Sequence, residues 1–303
     1  MSKVAMTMRS LLLAAAALLA LSGPALALDC GKASTRLERA ICGDKRLKAA
    51  DAAMGQAYAQ ILKAAVGDAG IHDMLVASQR RWLAARDQDL ADPAGWPEDV
   101  DRDPATWRDR ILTAMRDRTN NLKQRSNTDP QQFALIAEAQ AQRRFLAQFT
   151  GGPFAGFATR CEFFPTHAGS WADYYACYAT RHYQNGNRIC SVDEDWATYR
   201  TYETRSIAEV VDGKLKPVAT CGLEGQAGYT LCPGGDTLGD ETGRWDLQPK
   251  TEGMRLPSGP PSLPKLDVEA AGTLDDAPWL RACLTDPGYP TADPTSDGTT
   301  KKP

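Results

Sequence analysis

Histidines are rare in this sequence, and long apolar segments are missing beyond its first residues. The 303 residues include three histidines, His72, His167 and His182, and none has a recognisable serine or cysteine nucleophile motif around it. No segment after Leu21 approaches the roughly 20 apolar residues that a membrane-spanning helix requires. No glycine-rich phosphate loop follows a predicted strand. We therefore expect a protein that does not span a membrane, uses no cofactor and is not an enzyme.

An excess of positive charge is also missing. The sequence carries 35 lysines and arginines against 38 acidic residues, a formal net charge of -3. Residues 28–125 contain 17 basic and 15 acidic residues, whereas the chain beyond them contains 16 basic and 23 acidic ones. Nucleic-acid binding is not expected, because it depends on lysines and arginines that neutralise phosphates.

The first 27 residues have the pattern of a secretory signal peptide. Basic residues precede an apolar run from Leu11 to Leu21, and Ala25-Leu26-Ala27 offers the small residues of a cleavage site. Cleavage there gives a mature chain that begins at Leu28. Because Asp29 stands where a lipid-modifying peptidase needs a small residue before Cys30, we expect an unlipidated protein in the periplasm or outside the cell.

The cysteines lack the spacing of a zinc site, since no two of them lie two to four residues apart. All eight follow the predicted signal peptide, and an even number in an exported chain predicts disulfides. No metal site is therefore expected. Connectivity is left open for Cys161, Cys177, Cys190, Cys221, Cys232 and Cys283.

Residues 28–125 have the apolar spacing of packed helices. Thr35 and Glu38 form a capping box at the start of a short helix. After Asp44, a capping residue, apolar residues recur every three or four positions through a long helix, and later segments repeat that spacing. Three to four packed helices are predicted.

Beyond residue 125 the predicted structure changes. A connecting helix is predicted within residues 126–157, starting at Asp129-Pro130. Residues 158–250 are rich in Tyr, Thr, Val and Trp, which is typical of strands. Residues 251–303 are proline-rich and are expected to be mostly extended or disordered. The fold class is therefore α+β, with an N-terminal disulfide-stabilised helical bundle followed by a small antiparallel β-domain.

Two hairpins are predicted in the β-domain, with turns at Asn185-Gly186 and Asp212-Gly213. If the first is a two-residue turn, Cys190 lies opposite Arg181. Cys177 is then offset by four residues, roughly 13 Å at about 3.4 Å per residue, which is beyond disulfide reach. Cys177 and Cys190 should not be bonded to each other.

A set of residues at characteristic spacing follows the predicted cleavage point: Asp29-Cys30, Ala33-Ser34, Glu38, Ala40-Ile41-Cys42, Leu47, Asp51, Tyr58, Gln79, Trp82-Leu83 and Arg86. This pattern resembles the N-terminal domain of the lysozyme inhibitor LprI family over residues 28–125. The resemblance implies a helical domain that binds lysozyme. It also implies a Cys30–Cys42 disulfide, because two further cysteines that the family often carries are both missing here.

These family-motif residues are interpreted mostly as structural. Tyr58 and Trp82 lie on apolar stripes, where core packing is favoured over ligand contact. Asp51 and Arg86 lie on successive helices, where an ion pair would fix the packing. Gln79 is interpreted in the same way.

Three functions are compared. The resemblance favours an envelope protein that binds and inhibits lysozyme by steric occlusion. The alternative is a non-catalytic envelope scaffold, or a module that binds an envelope glycan or protein. A hydrolase is disfavoured, because the carboxylates at residues 193–195 cannot support one alone. Aromatic candidates for sugar stacking are Trp171, Tyr174, Tyr175 and Tyr183.

Overall fold

The computed structural model describes residues 28–167, 169–197, 200–223, 229–233, 243–249, 254, 256, 259–270 and 277–291. The predicted signal peptide lies outside these ranges. Among the helices within them, none is both long enough and apolar enough to cross a membrane.

Four helices form the N-terminal part of the chain: α1 (Arg36–Gly43), α2 (Lys45–Ala64), α3 (Ala69–Asp89) and α4 (Pro104–Lys123). Each begins after a side chain that accepts from free backbone N–H groups of the first turn, namely Thr35, Asp44, Asp68 and Asp103. The predicted capping box of Thr35 and Glu38 is present. Local side-chain chemistry therefore sets where these helices start, and their apolar faces then form a common core.

The connecting helix begins later than predicted. It is α5 (Ala134–Leu146), so the predicted start at Asp129-Pro130 is wrong. The Asp129 carbonyl instead accepts the Gln132 N–H at 3.0 Å and closes a turn. A bridge between Arg125 and Phe133 follows, and the helix starts only beyond it.

One antiparallel sheet, with its strands in chain order, follows the helices. Helix α3 packs against its first strand, where Trp82 meets Phe163 edge to face at 6.3 Å between ring centroids. The predicted α+β class is confirmed. The strands are β1 (Gly156–Phe164), β2 (Tyr174–Asn185), β3 (Arg188–Ala197), β4 (Arg200–Val211) and β5 (Lys214–Gly222).

The second hairpin turn is as predicted. Asp212 and Gly213 form the two-residue loop between β4 and β5, where Val211 pairs with Lys214. Their φ angles are 51° and 73°, and a type I′ turn requires such positive values at both central positions.

The first hairpin turn differs by one residue from the prediction. Asn185 pairs with Arg188, so the loop begins at Gly186, whose φ is 57°. Asn185 stays in the strand because its side chain accepts from the Thr150 N–H at 3.1 Å and donates to the Leu284 carbonyl at 2.7 Å. These two hydrogen bonds, to residues far away in the sequence, fix the register between β2 and β3.

Cys190 consequently faces Tyr183 rather than Arg181, and the predicted register is wrong. The conclusion drawn from that register is nevertheless confirmed, since Cys177 and Cys190 are not bonded to each other. Both registers leave these two cysteines well separated along the hairpin.

Four disulfides use all eight cysteines. Cys30–Cys42, which the family resemblance implies, is present and fastens the residues before α1 to the end of that helix. Cys161–Cys177 joins directly opposed positions of β1 and β2. The sheet is also tied to the C-terminal part by Cys190–Cys283, and Cys221–Cys232 closes a short loop after β5.

Parts of the C-terminal tail are folded. A short helix, α6 (Pro278–Thr285), buries Leu280 and Cys283 against the sheet. Upstream, Asp267 and Val268 are also buried. Residues 278–285 are thus helical rather than extended, whereas Asp267 and Val268 lie in a stretch without helix or strand. A disulfide and buried polar contacts hold these two stretches, which have few apolar residues.

Candidate functional site

Asp51 and Arg86 meet in a buried position between α2 and α3. Their nearest charged atoms are 3.9 Å apart, and each side chain is less than a tenth exposed. The second Asp51 oxygen accepts from the Leu28 backbone N–H at 2.6 Å. Arg86 bonds more closely to the exposed Asp87, at 2.6 and 2.8 Å. These contacts fix two helices and the beginning of the described chain.

Tyr58 and Trp82 lie in the core formed by the helices. They are 4% and 1% exposed, so both side chains are almost fully buried, and Trp82 borders an internal cavity. The Arg86 guanidinium lies over the Trp82 ring, 5.6 Å from its centroid. Both aromatic side chains are packed among the apolar residues of the helical core.

Gln79 supports a buried charged network that the sequence patterns did not indicate. Its side-chain oxygen accepts from Arg118 Nε at 2.9 Å. Arg118 also donates to the Ser78 hydroxyl at 2.8 Å and lies 3.3 Å from the Glu269 carboxylate. Arg81 binds the same carboxylate at 2.7 Å from the other side. Gln79 thus orients an arginine rather than facing solvent.

Asp267 forms the other end of this network. It pairs with Arg81 at 2.8 Å and accepts from the Thr159 hydroxyl at 2.9 Å. Its backbone exchanges two hydrogen bonds with the Gln142 side chain, at 2.8 and 3.1 Å. Burial raises the pKa of Asp267, and the Arg81 charge opposes that shift. Two arginines and two carboxylates therefore join α3, α4, α5 and β1 to the tail.

A cavity of about 380 Å³ lies beside the network. It is lined in part by Arg118, Glu269, Tyr174 and Tyr175. The Tyr175 hydroxyl is shielded from solvent and has no hydrogen-bond partner in the described part of the chain, and burial raises its pKa. The arginine and the Glu269 carboxylate already bind each other.

A larger cleft of about 830 Å³ opens where the end of α3 meets the sheet, and we call it the acidic cleft. None of the described residues that line it is a lysine, an arginine or a histidine. Its polar and aromatic lining consists of Gln88, Asp89, Asp92, Trp96, Glu162, Phe163, Phe164, Trp171 and Trp196.

The aromatic rings of the acidic cleft are held in place by other contacts. The indole N–H groups of Trp96 and Trp171 both donate to the Asp89 carbonyl, at 3.1 and 3.3 Å. Phe164 and Trp196 pack on each other with ring centroids 4.6 Å apart. The cleft wall is therefore preorganised.

The carboxylates of the acidic cleft differ in their surroundings. Asp92 pairs with the exposed Arg36. Asp89 accepts from the Phe163 backbone N–H at 2.9 Å, and Glu162 accepts from the Tyr178 hydroxyl at 2.8 Å. Burial raises the pKa of Asp89, and the neighbouring Glu162 charge adds to the increase. Neither Asp89 nor Glu162 is ion-paired with a cation among the described residues.

The predicted sugar-stacking residues are not brought together. Trp171 lines the acidic cleft, whereas Tyr174 and Tyr175 line the smaller cavity. Tyr183 is 1% exposed and belongs to the core under the sheet. Among the carboxylates at residues 193–195, Glu194 pairs with Arg181 at 2.7 Å.

A histidine and a serine also pair inside the sheet. His182 Nδ1 lies 2.7 Å from the Ser191 hydroxyl, and the two residues are directly opposed on β2 and β3. Ser191 is 3% exposed, so a substrate carbonyl could not reach its oxygen. The pair is a cross-strand hydrogen bond rather than a nucleophile and its base.

We expect His182 to make the stability of the protein depend on pH. Burial lowers its pKa from 6.5 to about 4, so the unfolded chain binds a proton that the folded chain does not. Stability is therefore lost as pH falls from about 6.5 to about 4, by about 3 kcal/mol in total. Urea unfolding at pH 7 and pH 4 of the wild type and of His182→Gln measures this contribution as the difference in their pH dependence. Identical pH dependence in the two proteins would contradict it.

One group of potential metal ligands is explained by a disulfide. The ligand atoms of Cys161, Cys177 and Glu269 lie within 4.8 Å of one another. Both sulfur atoms are bonded to each other, however, so neither is a thiolate that could bind a metal. We assign no metal site to this group.

A comparison with known protein families identifies the same segment of the chain as the motif residues do. No curated protein and no solved structure matches the chain. One family model matches, over 94 of the 303 residues, and it ends before α5 and the sheet. Residues 29–122 are thus identified, as predicted, as a segment similar to the family described as lysozyme inhibitor LprI.

Proposed function

We propose that this is an exported, non-catalytic protein that binds and inhibits lysozyme through its helical segment. The observation that carries the proposal is the match of residues 29–122 to the lysozyme inhibitor family. The pairing of all eight cysteines as disulfides supports export to an oxidising compartment, the periplasm or the cell exterior. The signal peptide and the unlipidated mature start at Leu28 belong to this proposal.

Inhibition would depend on a rigid surface rather than on a reactive group. The Cys30–Cys42 disulfide and the capped helices limit the motion of the segment, so little conformational entropy would be lost on binding. Since Tyr58, Trp82 and Gln79 are buried, lysozyme would contact other, exposed residues. Covering the sugar-binding cleft of the enzyme would keep substrate away from its carboxylate pair.

We expect the purified protein, from residue 28 onward, to slow the clearing of a cell-wall suspension by lysozyme. The rate should fall as the protein is titrated in, because each bound lysozyme is blocked. Turbidity measures the rate. A parallel assay with an amidase, which cuts the amide bond between the glycan and the peptide of the same walls, is the control. Unchanged lysozyme rates at saturating protein would overturn the proposal.

The amidase control also tests the alternative, an envelope module that binds a glycan or another protein. The alternative is favoured by one observation, the preorganised aromatic wall that includes Trp171 and Trp196. A protein that coats the glycan would slow both enzymes, whereas an inhibitor of lysozyme would slow only one. Equal slowing of the two would therefore favour the alternative.

A further inference from the structure

Two carboxylates of the acidic cleft, Asp89 and Glu162, form no direct ion pair among the described residues. Asp89 accepts from two neutral donors, the Phe163 N–H and the Gln88 side chain. Glu162 accepts from the Tyr178 hydroxyl, which also interacts with Arg160. A carboxylate can accept several hydrogen bonds, so both retain acceptor capacity. Two partly buried carboxylates near each other are stabilised by any cation that enters between them.

The cleft also offers aromatic surface beside these charges. Arg110 already lies over Trp96, 5.6 Å from the ring centroid, which shows the type of contact that this wall accepts. Trp171 and Trp196 line the opening with their surfaces partly accessible. A guanidinium or ammonium group is attracted to the face of such a ring, in addition to its pairing with a carboxylate.

We propose that the acidic cleft binds an arginine or lysine side chain of a basic protein partner, and that lysozyme supplies it. This inference rests on the proposed function and names the chemistry of the contact. An arginine matches the site because its planar group donates to carboxylates and stacks on aromatic rings at once. A neutral sugar would find acceptors but few donors, and an acidic wall glycan would be repelled.

The position of the cleft relates this contact to the family segment. Gln88, Asp89 and Asp92 belong to the segment that matches the lysozyme inhibitor family, whereas Glu162, Trp171 and Trp196 come from the chain beyond it. The helical segment alone is slightly basic, with 17 basic against 15 acidic residues over positions 28–125, and would attract a cationic partner poorly. The C-terminal half therefore completes a negative binding surface.

Two isosteric variants test the proposal in the full mature chain. Glu162→Gln and Asp89→Asn each remove one charge but keep an oxygen that accepts the existing hydrogen bond. We expect each to weaken lysozyme binding by roughly ten- to a hundredfold, the range for one charged hydrogen bond. Titration calorimetry measures the affinity, and circular dichroism checks that the variants fold.

Asp73→Asn is the matched control. Asp73 lies on the same helix, about 24 Å from Asp89 along its axis, and its side chain is 83% exposed. We expect the Asp73→Asn variant to bind lysozyme as tightly as the wild type does. The cleft proposal would be overturned, with lysozyme binding itself intact, if lysozyme bound equally tightly to Glu162→Gln, Asp89→Asn and Asp73→Asn.

An independent probe separates this inference from the proposed function. A tetra-arginine peptide should quench or shift the tryptophan fluorescence of the wild type and affect Glu162→Gln far less. If the peptide binds in this way but lysozyme does not, the cleft is a cation site and the partner is wrong. If chitotriose binds in the cleft and the peptide does not, the cleft is a glycan site and the inference fails.

Discussion

Replacing Cys190 and Cys283 together with serine should lower the free energy of unfolding by about 4.6 kcal/mol. The two cysteines are 93 residues apart, so their bond removes a large amount of conformational entropy from the unfolded chain. It also holds α6, with its buried Leu280, on the sheet. Guanidinium unfolding of the mature protein, followed by circular dichroism, measures the loss.

The Cys221–Cys232 bond is the matched comparison for that prediction. Its cysteines are 11 residues apart, and the same entropy relation gives a loss of about 3 kcal/mol for the double serine variant. Removing the Cys190–Cys283 bond should therefore lower the free energy of unfolding more than removing Cys221–Cys232 does. A larger loss from removing the short-range bond would show that loop closure is not the main source of stability.

Replacing Arg118 with methionine should cost about 3–5 kcal/mol, the range for breaking a buried ion pair from one side. The Arg118 side chain is 3% exposed, and its removal leaves Glu269, Gln79 and Ser78 each without one partner. Arg81 would still neutralise part of the Glu269 charge. Chemical unfolding at pH 7 measures the change.

An exposed arginine provides the control for Arg118. Arg46 pairs with Asp44 and Asp109 at a surface position where its side chain is 57% exposed, so Arg46→Met should lower the free energy of unfolding far less than Arg118→Met does. Adding Glu269→Leu to Arg118→Met should recover part of the loss, because the carboxylate oxygen that Arg118 satisfied is then gone and Arg81 keeps Asp267 as its partner. A double variant as unstable as the sum of both single variants would indicate lost packing rather than unpaired charge.

Features set by neighbouring residues could be predicted from the sequence. The capping box at Thr35 and Glu38 and the Asp212-Gly213 turn involve residues at most a few positions apart, and both are present. The start of α5 was missed because a turn and a bridge with Arg125 compete with the helix there. Sequence patterns of neighbouring residues therefore predict a turn or a helix start correctly when no residue from a distant part of the chain binds the same backbone.

Features set by distant residues could not be predicted in this way. Ser78 and Glu269 lie 191 positions apart, and no periodicity connects them. Trp171 was recognised as a possible binding residue, but its position beside Asp89 depends on how α3 packs against β1. The motif residues were predicted mainly as structural, and Gln79 and Trp82 lie inside the core. The surface that a partner would contact is formed only by the complete fold.

The hydrogen bond from Leu28 to Asp51 has a consequence for how the protein is produced. Cleavage after Ala27 would turn the donor from an amide N–H into an ammonium group, which carries a charge and three hydrogens. The contact with the buried carboxylate would then become an ion pair beside Arg86. A recombinant chain that retains tag residues before Leu28 would keep the neutral amide and reproduce the precursor, so stability and binding should be measured on protein with a free Leu28 amine.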